Sequence, residues 1–240
     1  MGEFEKMTGV STFDPKDFDS VKDRITVRVI NVMNNIQELM ELPHKQVADL
    51  AIIYQISVPS IINEKEIASL KVTYGLLAEW KVDRKDLHTL AMENTKRIFP
   101  PTLQSMEDIM VEMTTGTPCK DYFTDKEAFK ERPDEPMYVL SNKERAYGAN
   151  AIVFPEYLSE INNLFPEGYY ILPSSTHECI VVPKEKSISP RELGIMVREV
   201  NESQVDKEEQ LSDRVYKFDE RSQSIHQVAE SMKRECEIER

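Results

Sequence analysis

Within residues 169–183, YYILPSSTHECIVVP, five side chains that can do chemistry stand in six positions: Ser174, Ser175, His177, Glu178 and Cys179. A hydroxyl or thiol nucleophile beside an imidazole and a carboxyl group suggests acyl or group transfer. In that chemistry the histidine activates the nucleophile and a third group orients the histidine. His177 and Cys179 are the candidate pair, and a hydrolase or transferase built on the Ser174–Cys179 turn is the enzymatic reading. Strand geometry weighs against it. Residues two apart share a strand face, so His177 and Cys179 would point one way and Glu178 the other. Same-face neighbours stand about 6.5–7 Å apart along the chain, and nothing in the sequence leans these two together. The competing reading is a hairpin. YYILP and CIVVP are then strands, the hydroxyls of Pro173–Thr176 satisfy turn backbone, and Cys179 is a small core residue.

Other chemistries leave fewer traces. Only seven glycines occur, and neither G-x-G-x-x-G nor G-x-x-x-x-G-K-[ST] is present, although phosphate loops need glycine for backbone N–H groups to approach the anion. The carboxylate pairs Glu107–Asp108, Asp134–Glu135, Glu208–Glu209 and Asp219–Glu220 sit in charged, solvated segments rather than across a cleft. Cys119, Cys179 and Cys236 are far apart, as are His44, His88, His177 and His226. No disulfide framework, metal site or cofactor is expected, and three scattered cysteines suit a reducing cytoplasm. His44 reads as a loop histidine and Trp80 as a core anchor. The net charge of −13 disfavours direct nucleic-acid binding, which draws its affinity from Lys and Arg at phosphates. It also disfavours docking on an anionic membrane, and no apolar run approaches the roughly 20 residues of a membrane span. The first residues, MGEFEKMTGVSTF, lack the basic and apolar regions of a secretory signal and are set aside from the fold reasoning.

The positioning elements follow from periodicity and capping. Residues 15–113 read as an N-terminal α+β region. It has a short helix near 15–24, a strand in TVRVINV (with one long helix as the alternative), a helix in NNIQELMEL, a strand at 48–58 paired with EIASLKV, and a helix in TYGLLAEW. Asp83 caps a helix over 84–97, and Ser105 with Asp108 starts another over 106–113. Residues 114–136, rich in proline and charge, read as a linker. Residues 137–220 read as ββαββαβ. MYVLSNKERAYGANAIVF is expected to form a hairpin about Asn142–Arg145, Pro155 opens a helix, and Ser189, Pro190 and Glu192 start the next, with Leu193, Met196, Val197 and Val200 as its buried stripe. Residues 221–238 read as an amphipathic helix through Ile225, Val228, Ala229, Met232 and Cys236. Ile225, Val228 and Met232 are its candidate partner-binding face, which would pack on its own sheet, on a second copy in a homo-oligomer, or on another protein. The fold expected is α+β, mostly antiparallel sheets with helices on one face, in two subdomains plus the C-terminal helix.

MYVLSNKERAYGANAIVFPEYLSEI, YYILPSSTHECIVVP and ELGIMVREVNESQVDKEEQLSDRVYKFD, in that order, resemble an uncharacterised family of Gram-positive, clostridial-type bacterial proteins. Its pattern is YVLSN-K-x-x-x-YGA, LPSS-x-HE and REVN. VKDRITVRVIN, PHKQVADLAII and AMENTKRIFPPTLQSMEDIM resemble its upstream half, so the likeness spans roughly residues 20–219. A second uncharacterised family, from bacilli, is similar at greater distance. The resemblance implies a cytoplasmic bacterial protein, often encoded near mobile elements, and no activity. It also implies two departures: a longer N-terminal extension is expected to be missing, and the segment after Asp219 is an addition. The leading expectation is a non-enzymatic protein that binds another protein, as an accessory or anti-defence factor of a mobile element. An acidic nucleic-acid mimic that inhibits a basic nuclease is the third reading.

Overall fold

The computed structural model describes residues 14–59, 67–131, 136–186 and 188–228. Helix α1 (Phe18–Val21), capped by Asp17, leads into strand β1 (Ile25–Asn31). The β-branched alternation of this segment therefore forms a strand and not the long helix its spacing also allowed. Helix α2 (Ile36–Leu39) follows, then β2 (His44–Val47), β3 (Leu50–Pro59) and β4 (Ile67–Lys71). The first sheet is antiparallel in the order β1-β3-β2, with β4 also paired to β3. Helix α3 (Tyr74–Trp80) is capped by Thr73, and α4 (Arg84–Ile98) by Asp83. Both lie against one face of this sheet. Leu77, Trp80, Leu87 and Ala91 share a buried cluster there with Ile25, Val27, Ile52, Tyr54 and Ile56. Burying such side chains contributes about 1.5–3 kcal/mol each.

The second sheet runs β10-β9-β7-β8-β6-β5. Its strands are β5 (Pro101–Ser105), β6 (Tyr138–Asn142), β7 (Tyr169–Leu172), β8 (Cys179–Pro183), β9 (Tyr216–Asp219) and β10 (Ser224–Gln227). Between them come α5 (Met106–Thr115), α6 (Lys126–Glu131), α7 (Pro155–Leu164) and α8 (Pro190–Gln204). Helix α8 begins with the full capping box of Ser189 and Glu192. Its buried stripe is Leu193, Gly194, Val197 and Asn201, while Val200 stays exposed. The α+β class holds, with antiparallel strand pairs throughout.

Four expectations are corrected. Residues 114–136 do not merely connect. Tyr122, Ala128 and Phe129 enter the main core beside Tyr138 and Phe165, and Tyr122 N–H donates to the Leu103 carbonyl. Strand β5, from the region expected to end at 113, joins the second sheet beside β6, so the sheets divide before the composition does. The second half of the expected 137–154 hairpin is a 3-10 turn, Gly148–Val153. It packs against β1 instead of pairing with β6, because Asn150 has a place there. Its Oδ1 accepts from Val29 N–H at 2.9 Å, and its Nδ2 donates to the Val27 carbonyl at 2.8 Å. A buried amide thus satisfies the free edge of β1. Finally, residues 221–228 are not helical. They turn at 220–223, with Gln223 at positive φ, and β10 pairs back on β9 with Ile225 opposite Phe218. Tertiary pairing overrides the helical spacing of the apolar residues. The remainder of the expected helix, Met232 included, lies outside the described residues.

Candidate functional site

Strands β7 and β8 form the expected pair, with Leu172 opposite Ile180 and Tyr169 opposite Pro183. The intervening 173–178 segment is fastened on two sides. Towards 206–212, Leu211 N–H donates to the Ser174 carbonyl at 2.9 Å and Thr176 N–H to the Glu209 carbonyl at 2.9 Å. Towards β6, Ser141 Oγ donates to the His177 carbonyl at 2.8 Å. Ser175 Oγ accepts from His177 N–H at 2.9 Å, the turn-capping role expected of a serine.

Gly148 sits at the centre of this arrangement. A Cβ there would lie 2.1 Å from Ser141 Oγ and 2.4 Å from the His177 carbonyl oxygen. Only glycine lets the three backbones approach this closely. Tyr147, just before it, adopts positive φ and stacks on the His177 imidazole with ring centroids 6.0 Å apart. The Arg28 guanidinium stands 4.6 Å from the Tyr147 ring centroid, a cation–π contact that ties β1 to the same point. His177 Nε2 lies 3.2 Å from Glu209 Oε1. YVLSN, YGA and LPSSTHE thus meet in space as one clasp.

As a catalytic pair, His177 and Cys179 fail on geometry. Cys179 is fully buried, and burial pushes its thiol well above the usual range, with the Glu178 carboxylate adding to the effect. A nucleophile needs the thiolate within reach of solvent and a base. Among the described residues, the imidazole of His177 faces Tyr147 and Glu209 and no hydrogen bond joins it to Cys179. Burial also raises the carboxyl group of Glu178, partly offset by Arg145 and His177. Cys119 is pushed up to about 12 by burial and then by Glu112, to which its thiol donates at 3.2 Å. Among the described residues no group of histidine, cysteine and carboxylate side chains is placed to hold a metal ion. None of the helices is long and apolar enough to cross a membrane, again among the described residues.

A concavity lies elsewhere in the fold. A cleft of about 970 Å³ opens between the two sheets. Val47, Ile52, Met92, Ile152, Val153 and Ile225 make its apolar lining. Lys45, Asp49, His88 and His226 bring charge or imidazole to it. Asp49 is engaged by the hydroxyls of Tyr216 and Ser212. His88 Nδ1 lies 3.1 Å from the Tyr54 hydroxyl, and burial, with Lys45 nearby, lowers its pKa.

Of the expected partner-binding residues, Ile225 is buried in its own core. Val228 is half-buried against Leu172, Val182, Leu193 and Val197. Sequence reasoning missed Arg28, Asn150 and Gly148. Their signal was a polar or minimal residue inside an apolar run, VRV and YGANAIV, where a polar side chain needs a buried partner.

No curated protein and no solved structure matches the chain. A family model does match, over residues 3–220, so all three motif segments fall inside the matched span while β10 lies beyond it. On that coverage the chain belongs to the family of unknown function DUF5688.

Proposed function

We propose that the protein works by binding another protein and not by catalysis. The observation that carries this reading is a run of exposed apolar side chains, one of which lines the cleft. Met33, Ile36 and Met40 are 71%, 50% and 78% exposed on the single short stretch 33–40, and Met33 also lines the cleft. Scattered apolar residues are ordinary on a surface, but three within eight residues, the first of them lining a concavity, favour an interaction site. Methionine suits such a surface because its flexible, polarisable side chain adapts to a partner. The burial of Cys179 supports the same reading, since it leaves the Ser174–Cys179 turn without an accessible thiol nucleophile. The resemblance adds an accessory role on a bacterial mobile element to this proposal. The free thiols of Cys119 and Cys179 fit a reducing cytoplasm.

A photo-crosslinking amino acid at Met40 tests it in a lysate of the organism that encodes the chain. The expected result is one specific protein captured at Met40, not captured from a crosslinker at exposed Glu185, and lost when Met33 and Ile36 are both changed to Asp. Equal capture from the two positions, or none, would overturn the proposal.

A further inference from the structure

The cleft lies between two sheet edges. Strand β2 is the outer strand of the first sheet and β10 that of the second, and residues 45–47 and 224–227 both line the cleft. Which backbone groups face it follows from the ladders. Val27 and Val29 turn their N–H groups away from β3, to Thr95 Oγ1 and Asn150 Oδ1. Their neighbours Arg28 and Ile30 therefore bond to Ile53 and Ala51 of β3. The alternate β3 residues Leu50 and Ile52 bond to the other side, where they face Val47 and Lys45. His44 and Gln46 are left with backbone N–H and C=O groups directed outward. The same parity applies to β10: Val228 N–H donates to the Val215 carbonyl, so Ile225 and Gln227 present their backbone groups outward. Among the described residues no backbone group pairs with these four positions.

Unpaired edges are normally covered or blunted by charge, proline or a bulge. The ladder of β2 has one charged side chain, Lys45, which makes no ion pair among the described residues. The −13 of the whole chain is not concentrated at the cleft, where the Lys45 ammonium stands against one carboxylate, Asp49, which already accepts from the Ser212 and Tyr216 hydroxyls.

We propose that the cleft binds an extended segment of a partner protein, which adds as a strand to the edge of β2. The segment is apolar at alternate positions, facing the half-buried Val47, Met92 and Val153 of the lining, and carries one carboxylate that meets Lys45. Backbone hydrogen bonds to His44 and Gln46 supply affinity, and the alternate side chains supply selectivity. At about 3.3 Å per residue the four residues of β2 match a partner stretch of about four residues. This inference rests on the protein-binding reading and specifies the chemistry of the partner.

The test selects phage-displayed random peptides on the immobilised full chain and measures the synthetic consensus peptide in solution. The expected consensus alternates apolar residues around one Asp or Glu. Gln46→Pro removes an outward N–H at an edge position that tolerates proline, and weakens the peptide about tenfold. N-methylation of every second peptide amide weakens it by about the same factor in one phase and leaves it unchanged in the other, because a strand pairs through alternate residues. The methylated peptides keep the test free of any folding defect in the variant. Failure to enrich a peptide, or a peptide indifferent to Gln46→Pro and to the phase of methylation, would overturn the inference. A partner captured at Met40 that ignores Gln46→Pro would overturn the strand addition alone, while absence of capture at Met40 overturns the broader reading.

Discussion

Replacing Gly148 by alanine tests whether the motif residues form a clasp. The added methyl group would stand 2.1 Å from Ser141 Oγ, 2.4 Å from the His177 carbonyl oxygen and 2.8 Å from Ser141 Cα. Two of these atoms are backbone, so no rotamer change relieves the clash, and either β6 or the 173–178 segment must move. Overpacking of this kind costs about 1–3 kcal/mol. The movement also breaks the Ser141–His177 hydrogen bond, which adds about 1 kcal/mol. The expected loss is therefore about 2–4 kcal/mol in urea unfolding, read as a lower midpoint at unchanged slope. Gly75→Ala is the internal control. A Cβ there meets only Thr73 Oγ1, at 3.5 Å, inside helix α3, and the change should stabilise by up to about 1 kcal/mol. Ser141→Ala in the Gly148→Ala background removes one obstruction and leaves the carbonyl, so it recovers only part of the loss. A Gly148→Ala protein within about 0.5 kcal/mol of the parent would refute the clasp, since that is the ordinary range of a harmless surface change.

Three further outcomes follow from the same contacts. Asn150→Ala leaves the Val29 N–H and the Val27 carbonyl without their partner, and urea unfolding should register a loss of about 2–6 kcal/mol, one desolvation penalty for each. Glu178→Gln should raise Tm at pH 7. Burial raises this carboxyl group, so its contribution to stability is present below the unfolded value of about 4.3 and lost as pH rises through the raised folded value; thermal melts from pH 7 to pH 4 should show the advantage of the glutamine fading, and an advantage that grows toward acid would contradict the assignment. Cys179 should resist iodoacetamide in the folded protein at neutral pH and react once urea unfolds it, as peptide mass spectrometry would resolve, whereas rapid labelling in the native state would restore the thiol as a candidate nucleophile.

Local signals reported local structure faithfully. Asp83, Ser105 and Ser189 were legible as caps because a side-chain oxygen three positions before a helical stripe has a specific use, and each accepts the expected backbone N–H. The β7–β8 pair and the burial of Cys179 followed from two short apolar runs, each closed by a proline, about a polar turn. What failed depended on distant partners. Ile225 and Val228 keep helical spacing, yet Ile225 pairs with Phe218 in a strand, and Val228, just past it, donates to the Val215 carbonyl, which no local signal announces. Tyr122 and Phe129 sit in a charged, proline-rich stretch, and only the aromatic cluster with Tyr138 and Phe165 gives them a place in the core. The chemistry of the site was legible only as residue types. Ser141 and Gly148 share one motif, but His177 stands 36 residues beyond Ser141, so their meeting belongs to the sheet order, which the alternation pattern does not encode.

The claim that the conspicuous motif holds the fold while the cleft does the work is open to one direct measurement. The backbone ¹⁵N–¹H spectrum of the full chain is followed while the protein captured at Met40 is added. Shifts and amide protection are expected to concentrate at 44–47 of β2 and across the cleft at 224–227, with 141–148 and 174–179 unchanged. Shifts concentrated at 141–148 and 174–179, with β2 silent, would contradict it.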